Sequence, residues 1–558
     1  MSILQIAHNA VTAKVMNASR DEKLFIQSIL SYAVAGSEHM AAFKSGSWDG
    51  RASFFDFVTG TFPRGFVALV QSRLIKAGHK VQVARKPFPT PLGPEKPVVD
   101  NFGEDPRYDY QPEVVRKLEQ YGQIIAQVAT GGGKSRIAKL ATARIGRRTL
   151  FLTTRGVLMY QMYDSFKEIN PNTSILGDGN LEVSDITCGM VQTIASHLEI
   201  TTEAEEAERL LTLQANKEER QLEKLMKQLK ESGATQAQIN QAVAKLNQEH
   251  AKSHPTPKEF SEKVKANVQA QAKRRQVMLN TLATFEMVIL EEAHEASGNS
   301  YFEIMRACPN AHYRLALTAT PFMKTDEEAN MRLMASSGHV SIKISEEMLI
   351  ERGILAKPYF KYVPMTVKPD KLFKSSSWQR AYELGIVDSQ YRNKCIIAEA
   401  IRAKRYGMSI MVLVQHKKHG ATLKELMGKY GLRAEYIFGE DNQKERRRAI
   451  NQLKEGEIDV LIGSTILDVG VDVPAIGMVI LAGGGKAEVA LRQRIGRGLR
   501  AKKVGPNIAF VVDFADGFNT HLRDHYLTRR GIVEDTKGFA ENIVQDFDFE
   551  GLGFKKAA

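Results

Sequence analysis

The stretch QVATGGGKSRIAK, residues 127–139, decides which fold this chain adopts. It continues the apolar run IIAQVA and leads into a helix. Three successive glycines let backbone N–H groups approach phosphate oxygens, and a helix N-terminus favours negative charge. Lys134 is placed to reach the outer phosphates, and the Ser135 hydroxyl is placed to ligate Mg²⁺. The predicted phosphate-binding residues are Thr130, Gly131, Gly132, Gly133, Lys134 and Ser135.

The phosphate-loop pattern is met only in part. The strict form G-x-x-x-x-G-K-[ST] fails at its first glycine, where Val128 stands, and the match is to the shorter form A-T-G-x-G-K-S. The alternative is a chance glycine-rich turn. The order of strand, loop and helix favours phosphate binding.

Short apolar runs alternate with helical segments along most of the chain. The first series is IIAQVA, TLFLTT, MVILEE and RLALTAT; the second is SIMVLVQ, AEYIFG, DVLIGS, MVILAG and IAFVVDF. Apolar strands separated by helices are typical of parallel sheets covered on both faces. We therefore predict an α/β fold with two parallel-sheet domains in tandem, 101–345 and 346–530, that divide near 340–355. Residues 531–558 are predicted to form a C-terminal tail.

Two segments depart from this alternation. Residues 1–100 end in the proline-rich RKPFPTPLGPEKP, which predicts a small α+β accessory domain followed by a linker. Within it, phenylalanines around Gly60 predict a hairpin, followed by a helix and a strand. Residues 200–280 are rich in Glu, Lys, Gln and Ala, which predicts a helical hairpin inserted into the first domain, with Thr235 as an N-cap. This insertion is either a solvated spacer or an arm that contacts DNA or a partner.

The composition narrows the classes of partner. With 43% hydrophobic and 25% charged residues, the chain has the profile of an ordinary globular protein, and no apolar run is long enough to span a membrane. The start lacks the features of a secretory signal. Three distant cysteines predict a reducing, cytoplasmic setting. The net charge of +13 favours a polyanion such as nucleic acid, although it also serves solubility alone.

A second candidate site is the stretch VILEEAHEASG, residues 288–298. Glu291 stands where a nucleoside triphosphatase usually has the metal-facing aspartate, and it is one methylene longer. It keeps the charge and the oxygen ligand, and Mg²⁺ commonly retains several waters. Glu292 is placed to orient the attacking water and accept its proton. The alternatives are a site that has lost turnover and an ordinary strand that leads into an acidic helix.

A third candidate is the basic stretch ALRQRIGRGLRAKK in the second domain. On a helix, Gln493, Arg497 and Arg500 share one face. Arginines that reach across from a second domain stabilise charge in phosphoryl transfer, an effect of about 10³–10⁵ in rate. The alternative is a solvated basic surface.

Taken in order, these motifs resemble those of superfamily 2 helicases and translocases over about residues 105–515. The resemblance implies two RecA-like domains, ATP as the nucleotide, Mg²⁺ as the metal and a nucleic-acid track. RYDYQ resembles the adenine-recognising segment, which implies base recognition by Gln111 and stacking by Arg107. EEAH resembles a DEAH-type motif, with His294 coupling the domains, and LTATP resembles the coupling segment, with Thr318 and Thr320.

The remaining motifs complete this resemblance. QRIGRGLR resembles the Q-x-x-G-R-x-x-R motif of arginine fingers, which carries over Gln493, Gly496, Arg497 and Arg500. STILDVGVD implies Gly470 and Asp472 as the nucleotide-facing pair of the second domain. The residues that the resemblance assigns to nucleic-acid contact are Thr154, Arg155, Gln192, Thr193, Gln415, His416 and Thr465.

The N-terminal stretch SWDGRASFFDF resembles the accessory region of UvsW-type phage helicases, which remodel branched DNA. The resemblance implies phosphate contacts by Arg51 and Arg64, whereas Trp48 is expected to be a core anchor. It further implies a monomeric ATP-dependent helicase or translocase on forked or branched DNA in phage recombination, replication or repair, located in the host cytoplasm if phage-encoded. An RNA helicase, a restriction-type translocase subunit and a non-catalytic ATP-gated DNA clamp stay open as alternatives.

Overall fold

The computed structural model comprises three main sheets and a two-stranded ribbon. The residues that the structure describes are 3–85, 87–101, 104–293, 298–322, 326–438, 443–463, 476–485, 495, 501–502 and 505–557. No helix within these ranges is both long and apolar enough to cross a membrane.

The accessory domain has a four-stranded sheet in the order β5-β2-β1-β6 and the ribbon β3-β4. Its strands are β1 (Leu4–His8), β2 (Thr12–Met16), β3 (Ser31–Ala33), β4 (Arg51–Ser53), β5 (Thr61–Pro63) and β6 (Val81–Arg85). Its helices are α1 (Arg20–Ile29), α2 (Ala41–Lys44) and α3 (Val67–Lys76). The predicted hairpin around Gly60 is present only as one antiparallel bridge, between Asp56 and Thr61. Asp56 Oδ1 accepts the N–H groups of Val58 and Thr59 in the turn, while the neighbouring strands pair elsewhere, β4 with β3 and β5 with β2.

Two predicted roles in the accessory domain are corrected by burial. Arg64 is buried and donates to the carbonyl of Tyr121 (2.9 Å) and to His8 Nδ1 (3.2 Å), at the junction with the next domain. Burial lowers the pKa of Arg64 to about 9. Arg64 therefore does not face DNA phosphates. Trp48 is only partly buried and donates from Nε1 to the carbonyl of Arg51 (2.6 Å), so it is not a core anchor.

The first α/β domain is built on an eight-stranded sheet. Its strands are β7 (Gln123–Val128), β8 (Thr149–Thr153), β9 (Thr173–Gly177), β10 (Asn180–Leu181), β11 (Ile186–Met190), β12 (Met287–Glu291), β13 (Tyr313–Thr318) and β14 (His339–Ile344). The order is β10-β9-β11-β8-β12-β13-β7-β14, and the pairs are parallel except β10 with β9. Strands β8, β12 and β13 are buried over their whole length and β7 at every residue except Gln127, as expected for a sheet covered on both faces.

Helices from two parts of the chain surround this sheet. Those of the domain itself are α4 (Tyr110–Tyr121), α5 (Lys134–Ile145), α6 (Gly156–Lys167), α7 (Val191–Leu198), α11 (Asn299–Arg306) and α12 (Glu327–Ser337). The insertion between α7 and β12 consists of three helices, α8 (Glu203–Glu231), α9 (Gln236–Ser253) and α10 (Pro257–Leu282). Each begins with a threonine capping box, and the threonine before α9 is Thr235. Helix α13 (Glu346–Glu351) then leads to the second domain.

The second α/β domain has a seven-stranded parallel sheet. Its strands are β15 (Lys357–Pro364), β16 (Ile410–Leu413), β17 (Ala434–Ile437), β18 (Val460–Gly463), β19 (Met478–Ile480), β20 (Ile508–Ala515) and β21 (Ile543–Val544), in the order β17-β18-β16-β19-β20-β15-β21. Its helices are α14 (Trp378–Tyr382), α15 (Gln390–Lys404), α16 (Lys417–Lys429), α17 (Gln443–Glu455) and α18 (Thr520–Glu534). The two parallel-sheet domains predicted from the alternating apolar runs are confirmed.

The C-terminal segment is not a tail. Strand β21 adds an edge to the second sheet by pairing with β15. Phe547 and Phe549 are buried, and each ring centroid lies 4.8 Å from that of Phe510 in β20. The prediction of a separate tail at 531–558 is therefore wrong, because its aromatic residues complete the core of the second domain.

We expect Phe547→Ala to lower the free energy of unfolding of the second domain by about 3–5 kcal/mol, since the change leaves a cavity beside Phe510. Denaturant unfolding of the full chain measures this loss. The matched control is Phe373→Ala, because the Phe373 side chain is 58% exposed and its removal should change stability by less than about 0.5 kcal/mol. Equal effects of the two substitutions would contradict the role given to the C-terminal segment.

Candidate nucleotide site

The site lies where three neighbouring parallel strands end. Strand β13 stands between β12 and β7, with Glu291 opposite Leu317 and Thr318 opposite Gln127. Because parallel strands in this register finish at the same edge of the sheet, the acidic stretch, the coupling threonines and the phosphate loop meet there. This is also the edge at which α/β folds commonly bind ligands.

The phosphate loop requires glycine at each of its three positions. Gly131 and Gly133 have φ values of 89° and 80°. A Cβ on Gly131 would lie 2.6 Å from Leu355 Cδ2, and one on Gly133 would lie 2.4 Å from Gln111 Nε2. A Cβ on Gly132 would lie 2.7 Å from a methyl group of Val128. The loop is thus enclosed on several sides by its own domain and by the connection to the next.

Gln111 of α4 supports the phosphate loop through its side chain. Its side chain is buried, its Nε2 donates to the carbonyl of Gly132 (3.2 Å), and its Oε1 accepts from Arg136 Nη1 (2.6 Å). Arg136 also donates to Asp100 (2.9 Å). Gln111 therefore connects the loop to the first turn of α5, and its role in base recognition stays a prediction. Arg107, the predicted stacking residue, is exposed and pairs with Asp105 (2.6 Å).

Two glutamates and a lysine meet at the centre of the site. Lys134 Nζ lies 3.3 Å from Glu292 Oε1, and both side chains are largely buried. Glu292 has a φ of 50°, a left-handed conformation that is uncommon outside glycine and often marks a functional turn. Glu291 is buried, and burial raises its pKa to about 7; the Glu292 carboxylate adds to this shift, while Lys134 opposes it.

The donor set fits a magnesium–triphosphate ligand. Three buried oxygens have no hydrogen-bond partner among the described residues: Thr130 Oγ1, Glu291 Oε2 and Thr320 Oγ1. Buried polar atoms rarely stay unsatisfied, so a polar ligand at this edge would offset their cost. Ser135, exposed at the start of α5, and Glu291 would hold the metal. Within the described ranges no cluster of three or more His, Cys, Asp or Glu could bind a metal alone, and Mg²⁺ normally needs only one or two carboxylates together with phosphates.

The predicted nucleic-acid contacts of the first domain come together at the neighbouring strand ends. Strands β8 and β11 are paired, with Thr153 opposite Met190, so the residues that follow them are close. Gln192 Nε2 donates to the carbonyl of Thr154 (3.2 Å). The other predicted residues of this group are Arg155 and Thr193, both partly buried. Gln192 and Thr154 are therefore in contact, and Arg155 and Thr193 are their neighbours in sequence.

In the second domain, the described predicted contacts follow β16. Gln415 and His416 are exposed, and Gln415 Nε2 donates to the carbonyl of Gly484 (3.2 Å). The predicted residues that lie outside the described part of the chain are His294, Thr465, Gly470, Asp472, Gln493, Gly496, Arg497 and Arg500.

The connection between the domains packs directly on the phosphate loop, which the sequence motifs did not indicate. Leu355 lies against Gly131, and Leu349 Cδ1 would be 3.3 Å from a Cβ on Gly132. Arg352 Nη1 donates to the carbonyl of Arg107 (2.9 Å) and to Asp109 Oδ1 (2.5 Å). An ordinary leucine carries no motif, so only the three-dimensional structure could identify these contacts.

A buried ion pair supports the loop after β19. Arg529 donates to Asp513 in β20 (2.8 Å) and, through Nη1, to the carbonyl of Gly485 (2.8 Å). Both charged side chains are at least 95% buried. The pair thus fixes the backbone just before the stretch that carries the predicted arginine fingers, and nothing in the sequence near Arg529 indicated this role.

Comparison with known proteins agrees with this architecture. A family model described as "Type III restriction enzyme, res subunit" matches residues 105–229, and one described as "Helicase conserved C-terminal domain" matches residues 392–502. Helicase 22 of Sulfolobus islandicus filamentous virus is 29% identical over 234 residues, which cover 39% of this chain and 40% of that protein. DNA 3'-5' translocase XPB2 of Sulfurisphaera tokodaii is 27% identical over 252 residues, covering 39% of this chain and 56% of that protein. These curated relatives are therefore matched over only about half of their length or less.

Among solved structures, the crystal structure of T4 UvsW aligns over 98% of both chains, with 16% identity and a TM-score of 0.42. The two family models fall on the two sheets, and the first sheet carries the phosphate loop. This combination is an architecture of two RecA-like domains in tandem. In the two matched regions the chain is similar to the superfamily 2 helicases and translocases.

The pKa of Glu291 predicts a pH dependence of stability in metal-free, nucleotide-free buffer. The native state keeps the proton up to about pH 7, whereas the unfolded chain loses it near 4.5, so the stabilising contribution of Glu291 falls as pH rises through this window. We expect the free energy of unfolding of Glu291→Gln, relative to that of the parent protein, to be on the order of 1–3 kcal/mol higher at about pH 8 than at about pH 5.

Thermal unfolding at the two pH values measures this difference, and Glu303→Gln is the control because that carboxylate is exposed and pairs with Arg306. The same stability difference between Glu291→Gln and the parent at both pH values would contradict the raised pKa.

Proposed function

We propose that this chain is an ATP-driven DNA translocase or helicase that acts on forked or branched DNA. The observation that carries the proposal is the meeting of Lys134, Glu291 and Glu292 at the end of β12, beside a glycine loop that admits no side chain. Unsatisfied oxygens at this edge call for a polar, phosphate-bearing ligand. A metal-assisted phosphoryl transfer is the chemistry that this donor set fits best.

Each residue has a defined task in this mechanism. Backbone N–H groups of the phosphate loop and Lys134 bind the outer phosphates of ATP, and Lys134 also holds Glu292 in place. Mg²⁺, when bound by Ser135 and Glu291, neutralises phosphate charge. Glu292 orients the attacking water and accepts its proton. Arg497 and Arg500 from the second domain then stabilise the charge that develops on the transferred group.

Coupling of hydrolysis to movement runs through two connections. Thr318 and Thr320, at the end of β13, would couple the nucleotide site to the DNA contacts made by Thr154 and Gln192. Leu355 and Arg352 join the phosphate loop to the second domain. Closure around ATP changes the grip of both domains on DNA, and hydrolysis releases it. The accessory domain biases this motor toward forks or junctions, and the protein works as a monomer.

The net charge of +13 suits a polyanion and does not distinguish DNA from RNA. DNA is favoured as the track because the name of the relative XPB2 describes a DNA translocase. The accessory domain that resembles the N-terminal region of UvsW-type helicases is fixed to the first α/β domain through the buried Arg64. ATP turnover with forked DNA should therefore exceed that with linear duplex or RNA.

A second candidate function is a restriction-type translocase subunit, favoured by the family model matched at residues 105–229. Such a motor runs along uninterrupted duplex. Equal stimulation of ATP turnover by forked and linear DNA would favour this candidate, whereas preferential stimulation by forks would favour the first.

We expect Glu292→Gln to lower DNA-stimulated ATP hydrolysis by about 10²-fold or more, because the general base is lost. ATP binding should be retained, since Lys134 and the loop are unchanged. Phosphate release and binding of a fluorescent ATP analogue measure the two properties. Glu286→Gln, at the opposite end of the same strand, is the control and should keep full turnover. Persistent hydrolysis by Glu292→Gln would refute the assigned base, and no turnover by the parent protein would favour a non-catalytic clamp.

A further inference from the structure

The three-helix insertion forms a long arm, residues 203–282. Helix α8 has 29 residues and is therefore about 43 Å long. Helix α9 lies beside its outer part, where His254 Nε2 contacts Glu218 Oε1 (2.9 Å). Helix α10 lies beside its inner part and packs on α7, whose first turn holds Gln192 and Thr193. The arm thus extends from the part of the first domain that carries predicted nucleic-acid contacts.

A buried carboxylate fixes the base of the arm. Glu206 is fully buried and accepts two hydrogen bonds from Arg209 (2.7 and 2.6 Å), one from Asn267 (2.8 Å) and one from Gln271 (3.2 Å). The Arg209 guanidinium and the two amides hold the pKa of Glu206 at about 2. Because two of its four hydrogen bonds come from residues of α10, Glu206 sets the direction in which α8 leaves the domain.

One exposed face of the outer part of α8 is basic. Lys217, Arg220, Lys224 and Lys227 follow one another at intervals of three and four residues, which places them on one side of the helix. All four are exposed, and Leu213, one turn earlier, is 51% exposed. We call these four residues the basic stripe. They extend over about 15 Å of helix.

The acidic residues of this part of α8 do not neutralise the basic stripe. Glu218 accepts from Gln214 of the same helix and contacts His254 at the end of α9. At about 100° per residue, Glu219 falls on another side of the helix. Glu223 borders the stripe, three residues after Arg220 and four before Lys227, but it forms no ion pair with either of them in the part of the chain that the structure describes. Lys227 lies 4.0 Å from Glu231, but Lys217, Arg220 and Lys224 form no ion pair with any residue that the structure describes.

We propose that the basic stripe binds the phosphate backbone of duplex DNA outside the motor's own contacts. Several unpaired cations on one straight face suit a regular polyanion, and each phosphate that they neutralise releases counterions. Helix α8 carries no aromatic residue on which a base could stack, which favours duplex backbone over single strands. The choice of DNA rests on the proposed function, but binding by the stripe requires neither ATP nor its hydrolysis.

The test removes three charges together, as Lys217→Gln, Arg220→Gln and Lys224→Gln in the full chain. Fluorescence anisotropy with a labelled duplex, without nucleotide, gives the affinity at salt concentrations between about 50 and 200 mM. At low salt the Kd should rise about tenfold or more. The slope of log K against log salt should fall by about 2–3, since each lost phosphate contact removes about 0.9.

The matched control removes three exposed lysines from the other two helices of the arm, as Lys245→Gln, Lys252→Gln and Lys265→Gln. Glutamine is nearly as good a helix former as lysine or arginine, so both triple variants should keep the helical circular dichroism and the basal ATP turnover of the parent. The control should keep the parent's Kd and salt slope. The assignment of duplex DNA would be overturned if the stripe variant and the control had the same Kd and the same salt slope. Loss of binding to an acidic protein by the stripe variant would not rescue it.

The proposed motor function and the proposed role of the basic stripe are refuted by different results. If the parent binds duplex DNA through the stripe but shows no DNA-stimulated phosphate release, the motor function is refuted and the stripe assignment stands. If turnover is stimulated normally while the stripe variant binds duplex as the parent does, the motor stands and the stripe assignment is refuted.

Discussion

The parallel register of β7, β13 and β12 is the constraint on which the site depends. It brings a glycine loop, a threonine pair and two glutamates to one edge, although the loop lies more than 150 residues before the glutamates in sequence. The strands are buried on both faces, so the register cannot slip without moving their apolar side chains out of the core. The chemistry of the site is therefore fixed by the packing of the sheet.

Glu291 in place of the usual aspartate is accommodated by this packing. A buried carboxylate next to another carboxylate is unfavourable, and the raised pKa of Glu291 reflects that cost. Lys134 opposes the shift from the same corner, and a magnesium ion would oppose it further. A bound nucleotide with Mg²⁺ would satisfy the buried polar groups at this edge, which would link ligand affinity to the stability of the first domain.

Much of the fold could be predicted from the sequence, because nine strands coincide with clear apolar runs. Strands β9 and β11 were missed because TSILG and ITCGM mix small and polar residues, and their burial comes from neighbouring helices. The C-terminal segment was missed because its phenylalanines alternate with acidic residues. Arg64 was misassigned because sequence cannot distinguish a buried arginine from an exposed one. For the site, the motifs identified the phosphate loop and the acidic pair, but not Leu355 and Arg352, which belong to no motif.

The central claim is that ATP is hydrolysed in a cleft that both domains complete, and the most direct measurement concerns the arginine predicted to cross it. The turnover of Arg497→Ala should be measured with saturating DNA, alongside its affinity for a fluorescent ATP analogue. The account predicts a fall in turnover of about 10³-fold or more, with affinity nearly unchanged. Full turnover by this variant would contradict the account, because the first domain would then hydrolyse ATP without the second.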